Sequence, residues 1–201
     1  MQTEMPIDPQ QQRKGRIIFL MMAIFFIIPI LVVVLMYKFD WKPTGQSMGE
    51  LIRPPRLIDA SLELKDYKGN PAHAFSSEKW SMVYIAEQCD AVCMTKLHDM
   101  RQIHVSTYKD MLRVQRVLIT RQTEVEDVMA KFPDMLVINQ PSQSIEKLME
   151  VFTGGNPQEL NLHRTYLVDP LGHVMMQYSQ ESPAAHIRKD LTRLLKFSWA
   201  G

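Results

Sequence analysis

The sequence predicts an α/β domain preceded by one N-terminal transmembrane helix, and three patterns support this fold class. A charge-free apolar run extends from Ile17 to Tyr37. Short β-branched runs then alternate with segments whose apolar residues recur at helical spacing, as in a sheet of parallel strands joined by helices. A turn sequence between two further strands, Asp169–Gly172, adds an antiparallel hairpin. The 201 residues suffice for one ordinary domain with such an appendage.

The apolar run is long enough to cross a membrane, because a spanning helix needs about 20 predominantly apolar residues. A cleaved signal peptide is the alternative interpretation. Its apolar core would be shorter, roughly 7 to 15 residues, and a small-x-small cleavage site would follow it. The chain continues instead with the aromatic and charged segment Tyr37–Trp41. We therefore expect an uncleaved signal anchor.

Basic residues on either side of the apolar run predict its orientation. Three basic residues precede the run: Arg13, Lys14 and Arg16. Only Lys38 and Lys42 follow it closely, and the negative charge of Asp40 between them offsets part of their charge. The side richer in lysine and arginine stays in the cytoplasm. We expect a single-pass protein of the inner (cytoplasmic) membrane whose C-terminal domain lies in the periplasm.

The chain is predicted to have four parts. These are a cytoplasmic tail (1–16), the transmembrane signal anchor (17–37), a linker rich in proline, glycine and polar residues (38–53) and an exported α/β domain (54–201).

Within the exported domain the elements alternate as β-α-β-α-β-α-β-β-α. A capping-box pair, Thr123 and Glu126, is predicted to open the second of its helices. The other predictions are strands at Lys79–Ala86, Arg113–Thr120 and Met135–Asn139, a helix from beside Cys89 to about Tyr108, a helix through Ile145 and Phe152, a loop at Gly154–Arg164, a hairpin at Thr165–Tyr178 and a last helix from Pro183. Alternating units that end in a hairpin and a helix give a thioredoxin-like architecture.

The charge balance indicates which partners to expect. The chain has 23 basic and 22 acidic residues and a formal net charge of +1. Nucleic-acid-binding domains usually carry a strong basic excess that attracts phosphates. We therefore expect no nucleic-acid partner.

The two cysteines of the chain, Cys89 and Cys93, lie where a strand meets a helix. Backbone amides and the helix dipole stabilise a thiolate at such a junction. If the helix includes Cys93, the four residues from Cys89 place it about 6 Å along the axis and nearly one turn round, so both sulfurs face the same way. Two soft thiolates on one face suit Cu(I). The pair can also form a disulfide in an oxidising compartment, as a redox site or as a structural bond.

The strand, the Cys-x-x-x-Cys motif, the following helix and the Tyr-Leu-Val-Asp-Pro-Leu-Gly hairpin resemble the Sco/SenC family. The resemblance covers about Pro54–Phe197. It implies a thioredoxin fold on one N-terminal membrane helix and a copper chaperone that helps to metallate the copper site of cytochrome c oxidase. It further implies that Cys89 and Cys93 bind copper together with a histidine from the loop before the hairpin, for which His163 is the candidate. The chain departs from the family pattern where prolines usually flank the cysteines, because Asp90 and Met94 stand there.

These observations predict a metallochaperone with Cu(I) as cargo, Cys89 and Cys93 as redox-active thiols and metal ligands, His163 as a third ligand and no assigned catalytic residue. The expected partners are the membrane and an oxidase subunit or another assembly factor. A thiol-disulfide reductant that keeps the oxidase copper-site cysteines reduced is the first alternative, and a non-catalytic assembly scaffold is the second. The usual dithiol enzymes of this fold have two residues between the cysteines and a cis-proline opposite them, whereas the loop Asn161–Thr165 has no proline.

Overall fold

A computed structural model of the chain describes residues 9–39, 47–75 and 78–197. The chain forms two compact units, one up to Gln46 and one from Ser47. Residues 1–8 of the predicted cytoplasmic tail and 40–46 of the predicted linker lie outside the described residues.

The first unit contains helix α1, Pro9–Lys38. Its stretch Arg13–Lys38 reaches a mean hydropathy of 3.3, so it is long and apolar enough to cross a membrane. Pro29 lies inside this helix. Large apolar side chains along the helix are exposed, as a lipid-facing span requires. By length and composition, α1 is a candidate membrane span.

The described part of the second unit contains one six-stranded mixed sheet with the order β1-β6-β5-β2-β3-β4. The strands are β1 (Glu50–Leu57), β2 (Trp80–Ala86), β3 (Val114–Thr120), β4 (Leu136–Ile138), β5 (Thr165–Val168) and β6 (His173–Tyr178). Strands β2, β3 and β4 are parallel, whereas β5 pairs antiparallel with β2 and β6. The predicted parallel units and terminal hairpin are therefore present.

Helices cover both faces of this sheet. They are α2 (Ala91–Ser106), α3 (Glu126–Lys131), α4 (Gln143–Thr153) and α5 (Ala184–Phe197), with short 3₁₀ turns at Tyr108–Arg113 and Pro157–Leu162. Alternate β2 residues such as Tyr84 pack in one core with α2 and α5. Val83 and Ile85 pack in a second core with α4. The central strand β2 is therefore buried throughout, as a strand covered on both faces must be.

The edge strand β1 was not predicted from the sequence. It begins inside the segment 38–53 that we expected to be a linker, and it pairs antiparallel with β6. Pro54 and Pro55 interrupt its strand pattern. Such residues are tolerated at a sheet edge, where the missing amide need not pair. The register shifts between Leu51 and Arg56, around these two prolines.

The predicted capping box of α3 is wrong. Its N-cap is Val125, which makes no side-chain cap, and the helix spans only Glu126–Lys131. The carbonyl groups of Gln122 and Thr123 instead accept hydrogen bonds from the buried Asn139 amide, each at 3.1 Å. These bonds hold the segment before α3 as a loop.

Candidate thiol site

The cysteine pair lies where β2 ends and α2 begins. Asp90 is the N-cap of α2, and its carboxylate accepts a hydrogen bond from the backbone amide of Cys93 at 2.9 Å. Aspartate is among the preferred N-cap residues because its oxygen satisfies an otherwise unpaired amide. Cys89 thus stands just before the cap, and Cys93 lies in the first turn of the helix.

Cys89 and Cys93 form a disulfide, with their Cα atoms 5.0 Å apart. This separation lies within the usual range for a disulfide, about 4.4 to 6.8 Å. The two sulfur environments differ. Cys93 is fully buried in the core beneath α2, whereas Cys89 is only half-buried. Once the bond is reduced, Cys89 is the thiol that a partner can reach.

The end of β3 fixes the position of Cys89. The backbone amide of Cys89 donates to the side-chain oxygen of Gln122 at 2.8 Å. The Thr120 hydroxyl donates to the carbonyl of Glu87 at 3.0 Å and accepts from the amide of Gln122 at 3.1 Å. The parallel strands β2 and β3 end side by side, so these bonds tie the two loops together at the thiols.

A polar cleft of about 630 Å³ opens beside Cys89, lined by Glu87, Gln88, Cys89, Asp90, Arg121, Gln122, Thr123 and Glu124. Among the described residues that line it, the cation is Arg121, and its guanidinium contacts Glu87 at 2.9 Å and both carboxylate oxygens of Glu146 at 3.0 and 2.6 Å. The hydrogen bond from Arg121 holds the pKa of Glu146 below its usual value. The cleft therefore carries no net positive charge beside the cysteines.

Met94 also lies next to the disulfide. Its thioether sulfur is 3.9 Å from the sulfur of Cys89. Met94 is half-buried and packs against the same core as Cys93. One of the two residues that replace the prolines of the Sco/SenC pattern thus adds a third sulfur to the site.

His163 is held near this end of the sheet by Tyr84. Tyr84 of β2 pairs with Thr165 of β5, so the chain just before β5 passes the end of β2. The Nδ1 atom of His163 lies 2.8 Å from the Tyr84 hydroxyl oxygen, and the two rings stack at 6.4 Å. His163 adopts a left-handed backbone conformation, with φ of 47°, which directs the chain from the 3₁₀ turn into β5.

Tyr84 was not predicted as part of the site, because a tyrosine in a buried strand gives only the signal of a core residue. Burial and then the nearby charge of Asp90 raise the pKa of the Tyr84 hydroxyl. Tyr84 hydrogen-bonds His163 and packs in the same core as Cys93, so it links the histidine side of the site to the cysteine side.

Within the described residues, no group of three or more histidine, cysteine, aspartate or glutamate side chains is arranged to hold a metal ion. In the disulfide state the two sulfurs have no thiolate to offer. After two-electron reduction they become soft donors of the kind that Cu(I) prefers. The donor set therefore fits copper only in the reduced protein, and the role of His163 stays a prediction.

The fold and the cysteine pair define a thioredoxin-like protein with a dithiol-disulfide site. A family model described as transmembrane-like, thioredoxin-like, C-terminal domain matches residues 80–198. The chain belongs to this family. No curated protein sequence matches it.

Solved structures with the same fold include Sco proteins. Apo Sco1 from Thermus thermophilus aligns with a TM-score of 0.58 and 20% identity over 76% of this chain and 99% of that one. Yeast Sco1 with copper bound aligns with a TM-score of 0.54 and 17% identity over 78% of this chain and 96% of the yeast chain. A putative protein disulfide isomerase from Bacteroides thetaiotaomicron aligns with a TM-score of 0.52 and 15% identity over 75% of this chain and 95% of that one. The resemblance to the Sco/SenC family is thus confirmed for the fold, at low sequence identity.

Proposed function

We propose that the protein is a membrane-anchored, Sco-like copper chaperone that binds Cu(I) through Cys89 and Cys93 and passes it to the copper site of cytochrome c oxidase. One observation carries this proposal: the two sulfurs are within bonding distance of each other at the start of α2, and one of them is half-exposed. Two sulfurs so placed can share one soft ion when reduced.

The chemistry begins with reduction. Two electrons and two protons, supplied by an external dithiol, convert the disulfide to two thiols. Cu(I) then displaces the two protons, because only thiolates bind the metal. Transfer follows by ligand exchange. A cysteine of the partner first replaces Cys89, which is half-exposed, and Cys93 leaves last because it is fully buried.

His163 is the proposed third ligand. A histidine that binds a metal through one ring nitrogen usually donates its other N–H to a neighbouring group, which fixes the ring. With the proton on Nδ1, His163 donates to the Tyr84 oxygen 2.8 Å away, and Nε2 keeps its lone pair for the metal. This bond supports the assignment of His163 to the site.

The proposal includes the placement of the chain. The tail 1–16 lies in the cytoplasm, 17–37 anchors the protein in the inner membrane, and the chain beyond the anchor, with the domain whose first strand begins at Glu50, lies in the periplasm. Basic residues favour this orientation, because Arg13, Lys14 and Arg16 precede the apolar run and the basic side stays in the cytoplasm. The partner is then an oxidase subunit or another assembly factor in the same membrane.

Cu(I) competition on the full-length protein in detergent tests the function. We expect the reduced protein to take close to one Cu(I) per chain from a weak chromophoric chelator, and Cys89→Ser to abolish uptake. The disulfide form of the same chain is the matched control, because it differs only in the two thiols. Copper that stays with the weak chelator in the presence of reduced protein would overturn the proposal.

A thiol-disulfide reductant is the second candidate, and the unequal exposure of the two cysteines supports it. The Cys89 thiolate attacks a partner disulfide and releases one partner thiolate. The Cys93 thiolate then attacks Cys89 in the mixed disulfide, so the partner leaves with two thiols and this chain keeps the disulfide. Cys93→Ser would trap the mixed disulfide with a partner peptide, while the reduced wild type would bind Cu(I) poorly.

A genetic test separates both candidates from a scaffold that uses only the protein surface. Replacement of both Cys89 and Cys93 by serine should stop oxidase maturation if thiol chemistry is required. Normal oxidase assembly in the cells that carry this variant would instead support the scaffold.

A further inference from the structure

We propose that the thioether sulfur of Met94 is a further ligand of the Cu(I) held by Cys89 and Cys93. This inference rests on the proposed function, since it assigns one more donor to the same site. Met94 comes directly after Cys93 in the first turn of α2, and its sulfur lies 3.9 Å from that of Cys89.

The distance between the two sulfurs matches the geometry of a shared metal. Sulfur donors bind a metal such as zinc at about 2.3 Å, so sulfurs that share one ion stand about 4 Å apart, with or without His163 as a fourth ligand. The contact between Met94 and Cys89 already has this length. The Cα atoms of Cys89 and Cys93, 5.0 Å apart, leave room for their sulfurs to separate to a similar distance after reduction. Two of the three sulfur pairs of such a site thus need little movement of the backbone.

The surroundings of Met94 hold its sulfur at the site. Its backbone amide donates to the carbonyl of the cap residue Asp90 at 2.9 Å, which anchors it to the first turn of α2. Its side chain is half-buried against the core that contains Cys93. An unbranched thioether has enough rotatable bonds to reach the ion from this position.

The chemistry of a thioether makes it selective. A neutral, soft sulfur suits Cu(I), whereas Zn²⁺ takes thiolate, imidazole and carboxylate ligands. A thioether also carries no proton to lose near neutral pH, unlike an imidazole, whose unperturbed pKa is about 6.5. The contribution of Met94 to copper affinity should therefore be independent of pH between about 5 and 8.

The test compares Met94→Leu with Met175→Leu in the reduced full-length protein. Met175 is the matched control, because it is a half-buried methionine that packs against the same core from β6. Each variant is titrated with Cu(I) and, separately, with Zn²⁺, and X-ray absorption counts the sulfurs around bound copper.

We expect Met94→Leu to weaken Cu(I) binding by at least about tenfold, since loss of an outer-shell partner already costs about 10- to 100-fold. Zn²⁺ binding should not change, the number of sulfurs around copper should fall by one, and Met175→Leu should behave as wild type. Equal loss of both metals, or unchanged Cu(I) affinity and sulfur number, would overturn the assignment while the proposed function stands. A wild-type protein that takes no Cu(I) would overturn both.

Discussion

The Nδ1 atom of His163 lies 2.8 Å from the hydroxyl oxygen of Tyr84, which joins the loop before β5 to the central strand β2. Tyr84 is fully buried, so its hydroxyl is fixed by the surrounding core. In the tautomer with the proton on Nδ1, this hydroxyl accepts the hydrogen bond, orients the imidazole ring and leaves Nε2 free. The proposed ligand role of His163 therefore depends on a residue that does not touch the metal.

We predict that Tyr84→Phe weakens Cu(I) binding by about tenfold, because it removes the group that orients the ligand. Affinity is measured by competition on the reduced full-length protein. His163→Ala should have an equal or larger effect, and the double variant should lose little more than His163→Ala alone. Tyr166→Phe is the control, because it removes a buried hydroxyl in the other core of the domain. Loss of affinity in His163→Ala with none in Tyr84→Phe would contradict the orienting role.

The sequence was sufficient to predict the elements that carry strong periodicity. The buried run of β2, the start of α2 beside Cys89 and the hairpin through Asp169–Gly172 all appear as predicted. These features are set by local patterns of apolar and turn residues.

Long-range contacts explain what the sequence could not indicate. Strand β1 is ordered by pairing with β6, which overrides its two prolines. The start of α3 is set by Asn139, which binds the carbonyl groups of Gln122 and Thr123. Tyr84 looks like any core tyrosine until its partner is known. In each case the deciding contact joins residues that are distant in the chain.

Asp90 should reduce the reactivity of the Cys89 thiol. Its carboxylate caps α2 and so brings a negative charge to the end of the helix whose dipole would otherwise stabilise a thiolate. Asn caps a helix about as well as Asp but carries no charge. We predict that Asp90→Asn increases the rate at which reduced Cys89 is alkylated at pH 7 by a few-fold. The readout is the iodoacetamide rate in a Cys93→Ser background.

The control for this prediction is Asp99→Asn, which removes the same charge more than two turns further along α2. It should alter the rate much less, because the influence on the thiol falls with distance from the helix end. The effect of Asp90→Asn should also shrink at high salt, which screens partly exposed charges. Equal rates in wild type and Asp90→Asn at low salt would refute the explanation.

The ion pair of Arg116 and Asp134 predicts a pH dependence of stability. Arg116 is fully buried and contacts Asp134 at 2.5 Å, whereas the Asp134 side chain is 58% exposed. Burial alone would raise the pKa of Asp134, but the hydrogen bond and charge of Arg116 outweigh it and hold the pKa below its usual value. A lowered pKa means that the pair stabilises the fold above the unfolded-state pKa of about 3.9 and loses this effect as the pH falls through the folded-state value.

We therefore predict that Asp134→Asn destabilises the domain by about 2 kcal/mol at pH 7. Loss of a fully buried ion pair would cost more, because here water reaches the carboxylate. Urea unfolding followed by tryptophan fluorescence measures the effect. The difference between variant and wild type should shrink as the pH falls below about 4, because Asp134 of the unfolded chain then binds a proton before the folded protein does. Glu126→Gln, an exposed carboxylate on α3, should change stability little at either pH. A difference that is constant from pH 7 to pH 3 would contradict the role of the ion pair.

Asp190 of α5 joins the start of the second unit to its core. One carboxylate oxygen accepts from the amides of Met48 and Gly49 at 2.8 and 2.9 Å and from the Tyr178 hydroxyl at 3.0 Å. Asp190 is buried, so truncation would leave three donors without an acceptor. Each such donor costs about 1 to 3 kcal/mol of stability when it is kept from water, but water can reach the amides of Met48 and Gly49 before β1 and recover part of this cost.

We predict that Asp190→Ala lowers the free energy of unfolding by about 2 to 4 kcal/mol, or the Tm by about 6 to 12 °C for a domain of this size. Gly49→Ala should also destabilise, because an added Cβ would meet the Tyr178 ring at 2.5 Å. Lys189→Ala, at an exposed position of the same helix, is the control and should change the Tm little. Calorimetry on the full-length protein measures all three. An added Cβ at Gly49 would push against Tyr178, which also binds Asp190, so the losses of stability in Gly49→Ala and Asp190→Ala should not add in the double variant. Strict additivity would mean that Asp190 and Gly49 act through separate contacts and do not form one cluster with Tyr178.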